Sequence, residues 1–178
     1  MTGKQQNDQP ETDKIGKSMM IIAWIIAIGL GTWYFGILED RHLNPNQSPT
    51  TINNQNSIRV ELIANKYGHY VTTGLVDNKE VVFMLDTGAT LVAIPGALEE
   101  YLNLQRGQSY LVNTANGRAK VYATRIDRLE IGGIVLDNVQ AAISPTMQGE
   151  DILLGMSALK RLEFRQKGNK LTLVQQKY

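Results

Sequence analysis

No charged residue occurs between Ser18 and Leu38, a run bounded by Lys17 and Glu39. At about 1.5 Å per residue, these 21 positions make a helix of roughly 31 Å, the thickness of a bilayer's hydrocarbon core. The stretch MMIIAWIIAIGLGTWYFGIL puts Ile, Leu and Met on every face. A helix apolar all round is either a buried core helix or a membrane span. Trp24, Trp33, Tyr34 and Phe35 fit an aromatic belt, the last three near one end. A cleaved signal peptide would carry a shorter apolar region ending in small residues. Here the run ends in Gly36-Ile37-Leu38-Glu39. The pattern predicts one uncleaved transmembrane helix over 18–38. Lys4, Lys14 and Lys17 precede it, and only Arg41 follows closely. That bias places residues 1–17 in the cytoplasm and the C-terminal part outside.

Lys plus Arg is 18 and Asp plus Glu is 17, so the net charge is +1. This gives no electrostatic case for a nucleic-acid partner, which needs a clustered basic excess. The chain has no cysteine, which excludes disulfides, thiolate zinc sites, iron–sulfur clusters and cysteine nucleophiles. Only His42 and His69 are present, so a histidine-rich metal centre is excluded. No metal or other cofactor is expected.

Residues 39–57, EDRHLNPNQSPTTINNQNS, lack apolar periodicity and read as a flexible linker. His42 falls in it as a solvated residue, and Asn46-Gln47-Ser48 matches a glycosylation triplet common by chance. Residues 58–178 read as one mostly-strand domain. Ile58, Val60 and Leu62 alternate along a first strand. Tyr70–Val76 and the apolar run Val81–Leu85 follow, separated by an Asp77-Asn78 turn. Leu91–Ile94 is short, and Pro95 opens a helix over Gly96–Leu102. Asn116-Gly117 predicts a hairpin between Tyr110–Ala115 and Arg118–Ile126, and Gly132-Gly133 another. Asp151–Leu154 is a short buried strand, Met156–Leu162 a helix and Leu171–Val174 a last strand. The fold class is all-β with one or two short helices.

Several catalytic signatures are absent. There is no HExxH, and Gly155-Met156-Ser157-Ala158-Leu159 lacks the second glycine of a nucleophile elbow. Gly16-Lys17-Ser18 imitates the end of a phosphate loop but lacks the earlier glycine. What remains is Val82-Phe83-Met84-Leu85-Asp86-Thr87-Gly88-Ala89-Thr90. A carboxylate ends a buried apolar strand, followed by a hydroxyl and a glycine. Asp and Gly are also ordinary turn residues, so the triplet alone does not separate a site from a turn.

Its context does more. Downstream come the Asn116-Gly117 hairpin and then Ile152-Leu153-Leu154-Gly155 leading into a helix. In these features the chain resembles the retropepsin-like aspartic proteases, and more closely their membrane-anchored bacterial branch. The shared motifs are Gly68-His69-Tyr70, Leu85-Asp86-Thr87-Gly88-Ala89-Thr90, Thr114-Ala115-Asn116-Gly117, Ile131-Gly132-Gly133 and Leu153-Leu154-Gly155-Met156-Ser157. His69 in this reading is a turn residue. Retroviral members place two acidic residues after the Ala of the triplet and an Arg after the later glycine. Thr90, Leu91 and Met156 stand there, so the retroviral ion pair cannot form.

The resemblance implies a closed, barrel-like retropepsin fold and an aspartic endopeptidase acting on peptide or protein substrate, facing the periplasm or cell exterior from a bacterial inner membrane. Asp86 is then the catalytic carboxylate. Thr87, Gly88, Ala89 and Gly155 support its loop, and Asn116 and Gly117 lie at the tip of a flap. Aspartic proteolysis needs two carboxylates, and one Asp-Thr-Gly per chain implies a homodimer. Leu171–Val174 is a candidate for pairing between subunits. The alternative reading is a non-catalytic module of the same fold that binds extended peptides by strand addition or scaffolds envelope proteins.

Overall fold

The computed structural model describes residues 11–114 and 117–177. The chain divides into two compact units, one ending at Asp40 and one spanning Arg41–Tyr178.

Helix α1 runs Glu11–Leu43. Its Gly16–Leu43 stretch is long and apolar enough to cross a membrane, and none of its apolar window is buried within protein. No proline interrupts it, and it stops one residue before Asn44-Pro45. A proline disfavours helical geometry in the residue before it, so Asn44 ends the run.

The second unit contains β1 Thr50–Asn53, β2 Ser57–Ile63, β3 Val71–Val76, β4 Lys79–Leu85, β5 Val92–Pro95, β6 Ser109–Thr114, β7 Gly117–Ile131, β8 Ile134–Ser144, β9 Ile152–Leu154, β10 Glu163–Lys167 and β11 Lys170–Gln176. Two single-turn helices, α2 Glu99–Leu102 and α3 Met156–Leu159, complete it. One sheet has the order β1-β2-β11-β10; the other is β3-β4-β9-β5-β8-β7-β6. The long strand β7 also reaches β3, pairing Leu129 with Val76 and Glu130 with Leu75. That contact closes the larger sheet into the expected barrel-like ring. Phe83, Ile94, Ile126, Leu129, Ile143 and Leu154 have no exposed surface and form its core. Burying each such side chain is worth about 1.5–3 kcal/mol.

Turn chemistry matches the sequence. Asp77 and Asn78 have φ of 48° and 66°, the positive values that a tight hairpin turn requires. Asn103 ends α2 in the left-handed conformation at φ 56°.

Two expectations are corrected. Residues 39–57 do not form a flexible linker. Helix α1 continues to Leu43, Asn44 and Asn46 are buried, and β1 pairs antiparallel with β2 from Thr50↔Glu61 to Asn53↔Ile58. All four β1 side chains face solvent, so the strand carries no apolar alternation to read. The Asn46 amide is hydrogen-bonded inside the unit, which removes it as a glycosylation site. The final strand is not available for pairing between subunits either. β11 lies inside its sheet, with β2 on one side and β10 on the other. Strand β10 escaped the sequence because all five of its side chains are exposed.

Candidate active site

Strands β4 and β9 run parallel, with Phe83 beside Ile152 and Leu85 beside Leu154. Parallel neighbours end on the same side of a sheet, so Asp86 and Gly155 emerge together. The Asp86 N–H donates to Leu154 O at 3.2 Å. The chain then turns on the Asp86 side chain, whose Oδ1 accepts the Gly88 N–H at 2.8 Å. Asp86 O also accepts the Ala89 N–H at 3.2 Å. This is an aspartate-initiated turn, in which the carboxylate replaces a backbone acceptor. Gly88 allows its approach, since a Cβ there would stand 3.1 Å from Asp86 Oδ1.

The far side of the loop is gripped by the start of α3. The first N–H groups of any helix lack intrahelical acceptors. Here Met156 N–H donates to Ala89 O at 2.8 Å and Ser157 N–H to Thr90 O at 3.0 Å. Gly155 is required by space. A Cβ there would meet Leu91 O at 2.2 Å and Ala89 O at 2.7 Å, closer than packed atoms come. Asp86 and Ala89 are half-buried, whereas Thr87 and Gly88 are exposed. The loop therefore presents a half-accessible carboxylate on a backbone anchored at both exits.

Ser157 is a part of this architecture that the sequence did not single out. Its Oγ donates to Gln140 O at 2.7 Å and accepts the Val92 N–H at 3.0 Å. One hydroxyl thus ties α3, β5 and β8 together behind the loop. Its only sequence signal was the position two residues after Gly155.

The expected flap is the β6–β7 hairpin. Thr114 pairs with Gly117, so Gly117 is the first residue of β7 and not, as expected, a turn residue. Asn116 lies outside the described residues. Gly117 has φ 105°, a conformation open to glycine at little cost. By register Tyr110, Val112, Ala119 and Val121 share one face, with Leu111, Arg118 and Lys120 on the other.

The ion pairs Arg106–Glu99, Arg128–Glu130 and Lys170–Glu61 include no residue of the Asp86 loop. Asp151, at the head of β9, has its carboxyl pushed above the usual carboxylate range, first by partial burial and then by the charge of Glu150. His69 is an exposed turn residue whose N–H rests on Asn65 Oδ1. No group of three or more His, Asp or Glu among the described residues is arranged to hold a metal ion.

Comparisons with known proteins match this arrangement. Residues 72–161, half of the chain, fit the family described as "gag-polyprotein putative aspartyl protease". A Sinorhizobium protein described as an "uncharacterized protein in cobV 5′ region" is 34% identical over 102 residues. The match takes in 56% of this chain but only 44% of that relative's length. A retropepsin-like aspartic protease from Rickettsia conorii, solved by crystallography, aligns with a TM-score of 0.57 and 27% identity. That alignment covers 72% of this chain and 96% of the other. With the family match over half its length and the closed sheet around the Asp86 loop, this chain belongs to the retropepsin-like aspartic protease family.

Proposed function

We propose that the chain is a membrane-anchored aspartic endopeptidase working as a homodimer, with one Asp86 from each protomer. The observation that carries this reading is the half-exposed Asp86 carboxylate on a loop held by Leu154 O, Gly88 N and the N-terminus of α3. In the proposed dimer two such carboxylates face each other about 3 Å apart and cannot easily both ionise. They share one proton and titrate as a pair. One carboxylate takes a proton from water as it attacks the peptide carbonyl, and the other donates one. Thr87, Gly88, Ala89 and Gly155 keep the loop in place, and the hairpin around Asn116 and Gly117 closes over an extended peptide and excludes water. The apolar part of α1 is the anchor. The N-terminal segment lies in the cytoplasm and the protease unit in the periplasm or outside the cell, following the lysine bias of the flank.

The test is Asp86→Asn in the full chain, assayed on a mixed peptide library. Asn is nearly isosteric and removes the shared-proton chemistry, so cleavage should fall by about a thousandfold or more with the fold retained. Library cleavage unchanged in Asp86→Asn would overturn the assignment. Peptide binding that survives in both forms without any cleavage would identify a binding module instead.

A further inference from the structure

Residues 44–46 follow the apolar helix directly and take no part in the Asp86 loop. Yet three of the six buried polar residues among those described, Asn44, Asn46 and Thr72, meet there. Asn46 is 4% exposed. Its Nδ2 donates to Val71 O at 2.7 Å and to Ile63 O at 2.9 Å, and its Oδ1 accepts the Ile63 N–H at 2.7 Å. Both amide donors are therefore used. Asn46 O accepts the Thr73 N–H at 3.2 Å and the Thr72 hydroxyl at 3.0 Å. Asn44 completes the clip. Its Oδ1 accepts the Asn46 N–H at 3.1 Å, and its Nδ2 donates to Thr73 Oγ1 at 2.9 Å.

This amide bridges the two sheets, because Ile63 ends β2 in one and Val71 begins β3 in the other. Asn46 also forms a parallel bridge to Thr72. On its other edge β3 pairs Val71 with Met84, Thr72 with Phe83 and Thr73 with Val82. Just beyond, Tyr70 O accepts the Leu85 N–H at 3.0 Å. Leu85 is the residue before Asp86. A fully satisfied buried amide fixes one strand register, and a slip of one residue would turn every β3 side chain to the opposite face.

We propose that Asn46 is a positioning residue for the Asp86 loop: the segment leaving the apolar helix is built into the catalytic sheet and holds β3 in register against β4. This rests on the protease reading above. The protease unit then begins at Asn44, and a cut after Asn46 would separate the clip from the strands it holds.

The test uses the full chain in detergent micelles and the library peptide that wild type cleaves fastest. Asn46→Ala, Asn46→Asp and Thr72→Val are compared with Gln47→Ala, an exposed neighbour. Rates are expressed per folded molecule, counted by titration with a tight transition-state-analogue inhibitor. Small displacements of a catalytic group cost about a hundredfold in rate. Both Asn46 variants should lose roughly 10- to 100-fold in kcat with KM within about twofold, and Gln47→Ala should match wild type. Thr72→Val removes one hydroxyl bond and should lose roughly threefold or more in kcat. It carries the test if the Asn46 variants do not fold. Wild-type kcat per folded molecule in the variants that fold, even with lowered melting temperatures, would reduce Asn46 to a stability role and overturn the proposal. Wild-type cleavage is checked against Asp86→Asn in the same assay. Absence of any Asp86-dependent cleavage would remove the protease reading itself, and this inference with it.

Discussion

Replacing Gly155 by alanine puts a methyl group 2.2 Å from Leu91 O and 2.6 Å from Leu91 C. Both are backbone atoms, so no side-chain rotation relieves the overlap. The loop and α3 have to separate, which weakens the bonds from Met156 N and Ser157 N. Gly155→Ala should cost about 2–3 kcal/mol, as other overpacked sites do. Thermal unfolding should show a melting temperature lower by roughly 5–15 °C, and kcat should fall by roughly tenfold or more as the loop shifts. A variant as stable and active as wild type would mean the contact relaxes freely. Asp151 gives a pH-dependent case. Its folded-state pKa lies above the ordinary 3.8. An aspartate raised in this way costs stability once ionised, and that cost appears as pH rises from below 3.8 through the folded value. Asp151→Asn should therefore melt higher than wild type at pH 7, with the advantage disappearing below pH 3.8. A melting difference that is constant across pH would assign the effect to packing.

At the scale of elements, legibility followed burial on one face. In β2 Val60 and Leu62 are buried and Ile58 half-buried, so alternation announced the strand. β4 was legible instead as the continuous apolar run Val81–Leu85, of which Val81 and Phe83 are the buried positions. β1 and β10 are exposed at every position, and their strand state comes from pairing alone, which no local pattern encodes. The candidate site divides in the same way. Asp86 and Gly155 stood out because their motifs are local. Ser157 and Asn46 did not, because their meaning lies in partners far along the chain, Gln140 and Ile63. Polar residues without visible partners read as loop, and so 39–57 read as a linker. A measurable consequence follows for the boundary. A fragment starting at residue 58 lacks β1 and the Asn46 clip, which leaves Ile63 N, Ile63 O and Val71 O without those bonds. At about 1 kcal/mol net for each bond, it should be roughly 2–4 kcal/mol less stable than a fragment starting at residue 44. Urea unfolding of the two fragments checks this. Equal midpoints and slopes would show that 44–57 is dispensable to the folded unit.

For the molecule as a whole, the proposed function turns on how a chain with one Asp-Thr-Gly would assemble two carboxylates. The proposed dimer makes activity depend on concentration, since each protomer brings half of a site. Pairing cannot use β11, whose two edges are already occupied by β2 and β10, so the proposed dimer would be built on other surfaces. The proposed membrane anchor would change the balance. Two chains confined to one bilayer meet at an effective concentration set by their surface density rather than by the bulk volume. The expected result is a contrast between two preparations. A soluble fragment 44–178 should lose specific activity as it is diluted from micromolar to nanomolar, with sedimentation moving from dimer to monomer over the same range. The full chain in lipid vesicles, diluted to the same bulk concentration, should keep its specific activity, because diluting vesicles leaves the density of chains within each one unchanged. A soluble fragment whose specific activity stays flat while it sediments as a monomer would overturn the two-chain site, and a second carboxylate would then have to be found within a single chain.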